Sequence, residues 1–277
     1  TDECSLAGVV KAHVATFNRN IKLIIGSEFK IDSHKVIVLV TNRNSYSKLS
    51  SLITLARRRS KKGSYQIKWS DLKFNNDDLL IIWLPCGDFK KDQLIISKLH
   101  DWFERRLWIG FHNLLNGTET SRLSYLQKLA LLWKVHVVAC GDVHMHKKGR
   151  QPLQDVLTAI SKKCSIMELG KSRYPNSERY LRKIEYLKNI YPEELMRETI
   201  NISNLCNFSL NELRYEYPIE VVPKNLTSKE YLSFLVHQGA KKRWPSRIPK
   251  KILSQINHEL NIIYELSYET YFLTVYD

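Results

Sequence analysis

Short apolar runs alternate with longer segments of mixed polarity over the first two-thirds of the chain. The apolar runs are rich in β-branched and aliphatic residues, which predicts buried strands at residues 22–25, 36–40, 79–84, 108–111 and 135–140. Between them, apolar residues recur at helical spacing, which predicts helices at residues 46–62, 94–106 and 121–133. Apolar strands separated by helices are typical of a parallel sheet covered on both faces, either doubly wound or closed into a barrel.

After about residue 149 the pattern becomes mainly helical. Apolar spacing there predicts helices at residues 153–163, 177–189 and 193–205. The next segment, 213–223, is extended in character and contains Pro218 and Pro223, so it is predicted to be a linker or an edge strand. Two further helices are predicted, at residues 228–243 and 250–266. We therefore place a domain boundary near Val222.

The composition excludes a disordered or fibrous protein, because 43% of the 277 residues are hydrophobic and 26% are charged. No apolar run approaches the ~18 residues of a membrane span, and no basic region followed by an apolar run opens the chain. We expect a cytoplasmic protein without a membrane partner. Because the first residue is Thr1 rather than Met, we also expect the chain to be part of a longer protein.

A formal net charge of +15 favours a polyanionic partner, and nucleic acid is the first candidate. The densest basic run consists of Arg57, Arg58, Arg59, Lys61 and Lys62. Such a run fits a DNA-binding surface, but it equally fits a solvated helix face. The five cysteines are odd in number and show no CxxC spacing, which favours reduced thiols over disulfides or a zinc ribbon.

Carboxylates and imidazoles follow several of the predicted strands. Glu28 comes after residues 22–25, His112 after residues 108–111, and Asp142 and His144 after residues 135–140. The ends of parallel strands converge on one edge of a sheet, where such side chains can bind zinc, manganese or iron. Each residue taken alone also has a structural interpretation, and this applies most to His34, which only begins a strand.

Several segments of the sequence resemble one known family. They are TDECSLAGVVKAH, GSEF, TNRNSYSKLSSLITLARRRSKKGSY, ACGDVHMH, LQDVLTAI, PNSERYL, NELRYEYPIE and YETYFLTVYD. In this order they resemble the N-terminal portion of the bacterial C-family DNA polymerases, the polymerase III alpha-subunit type. LARRR, GDVHMH and RYEYP most resemble the error-prone branch of that family.

The resemblance implies a polymerase and histidinol phosphatase (PHP) domain over residues 1–222. This domain is a distorted βα barrel with a metal site at its strand ends, and its first strand would be missing here. Residues 223–277 would then be the helices that open the polymerase palm. The fold class expected is therefore α/β, followed by a helical segment.

The resemblance also implies a set of metal-site positions. They correspond to Glu3, Glu28, His34, His112, Asp142 and His144. Two departures weaken the site: the family's HxH pair would precede Thr1, and Glu3 stands where hydrolytically active relatives carry a histidine. Gly110 and Phe111 also precede His112 where an acidic and an aliphatic residue are commoner. We expect a vestigial site for Zn²⁺ or Mn²⁺.

The function implied is that of an error-prone DNA-directed DNA polymerase in damage-induced mutagenesis and translesion synthesis. The parent enzyme would use Mg²⁺, primed DNA and deoxynucleotides, with a sliding clamp and mutasome proteins as partners. The palm carboxylates would lie beyond YFLTVYD, so the chain alone is predicted to be inactive. Two alternatives remain: a stand-alone metal-dependent phosphoesterase of the PHP superfamily, and a basic module that binds DNA or protein without catalysis.

Overall fold

The computed structural model describes residues 1–74, 78–213 and 221–277. These residues form two compact units, Thr1–Leu213 and Arg214–Asp277. The predicted domain boundary near Val222 lies close to the start of the described part of the second unit. Most of the segment predicted to be extended, 213–223, lies outside the described residues.

A six-stranded mixed sheet forms the centre of the first unit. Its strands follow one another in sequence order: β1 (Asp2–Glu3), β2 (Gly26–Ile31), β3 (His34–Val40), β4 (Leu79–Leu84), β5 (Leu107–His112) and β6 (His136–Cys140). Neighbouring strands are parallel except around β3, which runs antiparallel to both β2 and β4. The α/β class is confirmed, whereas the prediction of a wholly parallel sheet is wrong at β3. Closure into a PHP-type barrel stays a prediction.

The reversal at β3 arises from a hairpin that the hydrophobic runs did not indicate. Residues 22–25 do not form the predicted strand; Gly26–Ile31 pairs with His34–Val40 instead. A two-residue connection joins them, and Asp32 takes a left-handed conformation there with φ +54°. The alternation of buried and less buried residues along β2 is the pattern of an antiparallel strand, and the short apolar run before it obscured that pattern.

Helices connect and cover the strands. In the first unit they are α1 (Val9–Thr16), α2 (Arg43–Arg58), α3 (Trp69–Phe74), α4 (Phe89–Phe103), α5 (Glu119–Trp133), α6 (Gln151–Lys162), α7 (Ile184–Ile190) and α8 (Glu193–Leu205). Short 3₁₀ helices lie at Glu104–Arg106, Lys148–Arg150, Met167–Ser172 and Leu210–Glu212. The helix predicted at residues 177–189 corresponds to α7, which is shorter than expected because it begins only at Ile184.

The two faces of the sheet carry separate hydrophobic cores. On the face that we call the first face, Phe29, Val36 and Trp83 pack with residues of α2, α4 and α5. On the opposite, second face, Leu39 and Trp108 belong to a smaller core that includes α8. Because successive strand residues point to opposite faces, this division fixes the face of every polar residue at the sheet edge.

The second unit is a small helical assembly. It consists of α9 (Ser228–Arg243), α10 (Lys250–Glu265) and α11 (Glu269–Tyr276), whose core includes Leu232, Leu260 and Leu273. Thr227 and Glu230 form a reciprocal capping box that starts α9 at the predicted residue. The last helix, α11, was not predicted. Within the three described ranges, no helix combines the length and apolar character that crossing a bilayer requires.

Candidate functional site

Several predicted site residues lie together on the second face, at the edge of the sheet where the parallel strands end. Glu28 on β2 lies opposite Ile37 on β3, and Ile37 packs against the second-face core. His112 lies on the same face of β5 as Trp108. Because β3 runs in the reverse direction, its first residues lie beside the last residues of β2 and β4. Lys35 is therefore placed among the strand ends where the predicted ligands gather.

The amino group of Lys35 lies between two carboxylates. Its Nζ is 3.0 Å from Glu28 Oε1 and 3.8 Å from Asp142 Oδ1. Asp142, which is only 9% exposed, also forms an ion pair with Arg179 and lies 3.3 Å from His144 Nε2. The ammonium group thus lies between Glu28 and Asp142, where a divalent cation bound to both carboxylates would also have to lie.

Glu3 is also neutralised by the protein itself. Lys30 Nζ lies 2.6 Å from Glu3 Oε2, and the Tyr65 hydroxyl donates to Oε1 over 2.9 Å. Burial would raise the pKa of Glu3, but the hydrogen bonds from Lys30 and Tyr65 outweigh it and lower that pKa. Three carboxylates at this edge thus face three cationic side chains, namely Glu3, Glu28 and Asp142 against Lys30, Lys35 and Arg179.

Two histidines at this edge of the second face, His112 and His144, have lowered pKa values. Burial lowers the pKa of His112 to about 3, and the positive charges of Lys35 and Arg179 add to the effect. Burial, followed by Lys35, lowers the pKa of His144 as well. His144 Nε2 lies 3.2 Å from the Tyr174 hydroxyl, and the Arg179 guanidinium stacks over the Tyr174 ring at 4.3 Å.

His34 does not join this group. It precedes Lys35 by one residue, so it points to the first face, where it is buried beside Asp92. Its pKa is lowered by burial, against the opposing charge of Asp92. The structure therefore brings Glu28, His112, Asp142 and His144 to one edge of the second face and separates His34 from them. The metal-ligand roles of these residues and of Glu3 stay predictions.

The sequence interpretation missed Lys35 and Arg179. Strand alternation offers a signal for Lys35, because it places residue 35, not residue 34, on the face of Glu28. No local signal points to Arg179. It reaches the site because the segment that contains it runs beside the end of β6, where the amide of His144 donates to the Arg179 carbonyl over 2.9 Å.

The basic run at the end of α2 divides into two groups. Arg57 is half-buried and donates to the carbonyls of Cys4, Glu3 and Ser64, while both terminal nitrogens of Arg59 bond to Asp71 at 2.5 and 3.0 Å. The other three residues are exposed and form no ion pair within the described chain; they are Arg58, Lys61 and Lys62. The predicted nucleic-acid contact stays a prediction for all five.

Comparison with known proteins finds relatives whose alignments extend over the whole chain. Error-prone DNA polymerases from Methylococcus capsulatus, Saccharophagus degradans and Pseudomonas aeruginosa are 46%, 45% and 42% identical to it, and each alignment covers 100% of the chain. The predicted resemblance is confirmed. Over its whole length the chain matches one segment of the error-prone DNA polymerase family.

The match covers only part of each relative. The chain spans 26–27% of the length of these three polymerases. Residues 230–277, within the second unit, also match the family model described as "Bacterial DNA polymerase III alpha NTPase domain". The edge of the second face thus lies in the part of the chain that this family model does not cover.

Proposed function

We propose that this chain is the N-terminal part of an error-prone DNA-directed DNA polymerase. The parent enzyme would add deoxynucleotides to primed DNA, with Mg²⁺, in damage-induced mutagenesis and translesion synthesis. The observation that carries this proposal is the 42–46% identity, over the whole chain, to proteins of that name. A sliding clamp and mutasome accessory proteins would be its partners.

The chain itself would not catalyse nucleotidyl transfer. That reaction uses carboxylates that hold two metal ions about 4 Å apart around the attacking and leaving oxygens. Among the described residues, no three carboxylates bring their oxygens together in this way, since the one compact group of potential ligands combines His34, Cys86 and Asp92. The two units would instead supply structure and a basic surface to the parent enzyme.

We further propose that the PHP-type site is vestigial because Lys35 replaces its metal. A divalent cation between Glu28 and Asp142 would have to displace an ammonium group that already neutralises both carboxylates. The hydrolytic role of a bound metal, which lowers the pKa of its water to about 7, would then be lost. No observation favours the stand-alone phosphoesterase. The exposed side chains of Arg58, Lys61 and Lys62 could contact DNA, so DNA binding would be an accessory role of this chain within the parent enzyme.

Primer extension tests the main proposal. The protein that contains this segment should extend primed DNA with Mg²⁺ and deoxynucleotides, and it should copy past damaged template bases. The isolated 277-residue chain should not extend the primer. Failure of the whole protein to extend any primer, or extension by the isolated chain, would contradict the proposal.

A phosphoesterase assay tests the vestigial site. The isolated chain should not turn over single-stranded DNA or a generic phosphate ester with Mn²⁺ or Zn²⁺. Asp142→Ala is the matched variant, because it removes the carboxylate that Lys35 and Arg179 share. Turnover that this substitution abolishes would revive the phosphoesterase alternative.

A further inference from the structure

A second cluster of potential ligands lies on the first face, away from the site described above. It consists of a ring nitrogen of His34, the sulfur of Cys86 and an oxygen of Asp92, and these three atoms lie within 4.8 Å of one another. Within residues 1–74, 78–213 and 221–277, no other three histidine, cysteine, aspartate or glutamate side chains meet so closely. The cluster combines the nitrogen, sulfur and oxygen ligands that zinc accepts.

Two distances within the cluster match those between the ligands of a tetrahedral zinc ion. Zinc binds sulfur at about 2.3 Å and nitrogen or oxygen at about 2.1 Å, so tetrahedral ligands lie about 3.3–3.6 Å apart. His34 Nδ1 is 3.5 Å from Asp92 Oδ1, and Cys86 Sγ is 3.3 Å from the same oxygen. These two distances therefore need little change for a zinc ion to bind.

One ligand atom of the cluster lacks a hydrogen bond. His34 is only 3% exposed, and its Nδ1 is buried without a hydrogen bond. Such an atom costs free energy, about 1–3 kcal/mol for a typical buried polar group. The rings of Trp69 and Trp83 pack against the imidazole, each at 5.7 Å between centroids, and restrict its position. The unpartnered nitrogen therefore faces Cys86 and Asp92 in a fixed orientation.

The carboxylate of the cluster is held by outer groups. Asp92 is fully buried and accepts hydrogen bonds from the amides of Cys86 and Gly87, at 3.0 and 2.9 Å. The Tyr125 hydroxyl donates to its Oδ2 over 2.6 Å. Carboxylate ligands in metal sites are commonly oriented by hydrogen bonds of this kind. Only the Cys86 thiol bonds to Asp92 through a proton that a metal would displace.

A purely structural cluster explains part of this arrangement but not all of it. The bonds from Cys86 and Gly87 to Asp92 also stabilise the turn that leads into α4. That role needs neither a histidine nor a thiol. A structural histidine would donate its ring proton to the carboxylate at hydrogen-bonding distance and angle, whereas Nδ1 of His34 remains unpartnered.

We propose that His34, Cys86 and Asp92 bind one Zn²⁺ ion or a similar borderline first-row cation. Binding converts the Cys86 thiol to a zinc-bound thiolate and releases one proton to solvent. The thiolate and the carboxylate then balance the two charges of the ion, and the neutral imidazole supplies the third ligand. A water molecule completes four-coordination. This inference does not depend on the proposed polymerase function.

Cobalt(II) is the probe that tests it, because a thiolate ligand gives Co²⁺ a charge-transfer band in the near ultraviolet. The metal-free 277-residue chain should bind one equivalent of Co²⁺ with that band, and Zn²⁺ should abolish it. Cys86→Ser should remove the band, and Tyr125→Phe should weaken binding about 10-fold or more through the loss of an outer hydrogen bond. Cys164→Ser is the matched control, since this partly buried thiol lies outside the cluster.

A measurement on the unmodified chain covers the case in which Cys86→Ser fails to fold. Zn²⁺ should protect Cys86, but not Cys164, from alkylation by iodoacetamide, as read by peptide mass spectrometry. Absence of a thiolate band in the unmodified chain, a band that survives Cys86→Ser, or equal alkylation of Cys86 with and without Zn²⁺ would each overturn the proposal. Asp142→Asn should leave the band unchanged; its loss there would place the metal on the second face instead.

Discussion

His34 and Lys35 are neighbours in sequence, yet they belong to two clusters of opposite design. On the second face, Lys35 and Arg179 neutralise the carboxylates, so the cluster carries its own cations. On the first face, His34 lies beside a thiol and a carboxylate with its Nδ1 unpartnered. The comparison teaches that residues of the types that bind metals can be arranged in two ways, with a lysine between the carboxylates or with a ligand atom left without a hydrogen bond.

The largest expected effect is a loss of protein stability in acid that arises from the protonation of His112. Its pKa falls from 6.5 to about 3 on folding, so the folded protein binds fewer protons than the unfolded chain. Its contribution to stability is complete above the unfolded pKa and is lost as the pH falls from 6.5 towards 3. Between about pH 7.5 and 4.5 the free energy of unfolding should fall by about 3 kcal/mol more in the unmodified protein than in His112→Asn.

Urea denaturation at the two pH values measures this difference. Other groups also titrate in that range, and the subtraction of the His112→Asn result removes their contribution. His136→Asn is a control, because this side chain is largely exposed. Equal acid destabilisation of the unmodified and His112→Asn proteins would show that the second face does not hold His112 neutral.

Lys35→Met should have the next largest effect. It leaves Glu28 and Asp142 without their shared cation, and for a half-buried group we expect a loss of about 2 kcal/mol in the free energy of unfolding. Mn²⁺ should restore part of this stability in the variant and none in the unmodified protein. Lys62→Met is the matched control, with an expected change below about 0.5 kcal/mol.

The proposed difference between the two faces would be contradicted if Mn²⁺ stabilised the unmodified protein as much as it stabilised the Lys35→Met variant. Such a result would mean that the carboxylates of the second face bind a divalent cation with Lys35 present. Thermal unfolding with and without Mn²⁺, at one fixed pH, is sufficient to distinguish the two results.

The smallest expected effect concerns DNA and separates free from internally paired arginines. In the parent enzyme, Arg58→Ala, Lys61→Ala and Lys62→Ala should each reduce the dependence of log affinity on log salt concentration by about 0.9 for every phosphate that the native side chain neutralises. Arg59→Ala should leave the salt dependence unchanged and destabilise the fold, because Arg59 pairs with Asp71. If the salt dependence stayed unchanged in all four variants, these basic residues would not contact DNA and would form only a solvated helix face.

Much of the fold was predictable because its strands and helices are locally encoded. Leu79–Leu84 is apolar throughout, and α9 begins and ends where Thr227 and the polar-apolar spacing indicate. The hairpin at Asp32 was missed because it depends on one left-handed residue rather than on a hydrophobic run. The last helix, α11, is short and mostly apolar, so it gives a weak amphipathic signal.

The candidate site was predictable only in part. His112, Asp142 and His144 reach one edge because they end or follow neighbouring parallel strands. Glu28 lies within β2 rather than after a strand, and it reaches the same edge beside Glu3, the last residue of β1. The sequence did not separate His34 from these residues, because a strand start was treated as a position without a face. Arg179 arrives through backbone pairing that no local pattern encodes. Cys86 and Asp92 have no recognisable metal-ligand spacing, so only the packing of α4 against the sheet reveals their proximity to His34.

Anomalous X-ray diffraction at the zinc absorption edge tests the contrast between the two faces most directly. Crystals of the 277-residue chain grown with Zn²⁺ should show one anomalous peak between His34, Cys86 and Asp92, and no peak between Glu28 and Asp142. A peak between Glu28 and Asp142, with none beside His34, would contradict both the replacement of the metal by Lys35 and the zinc site on the first face.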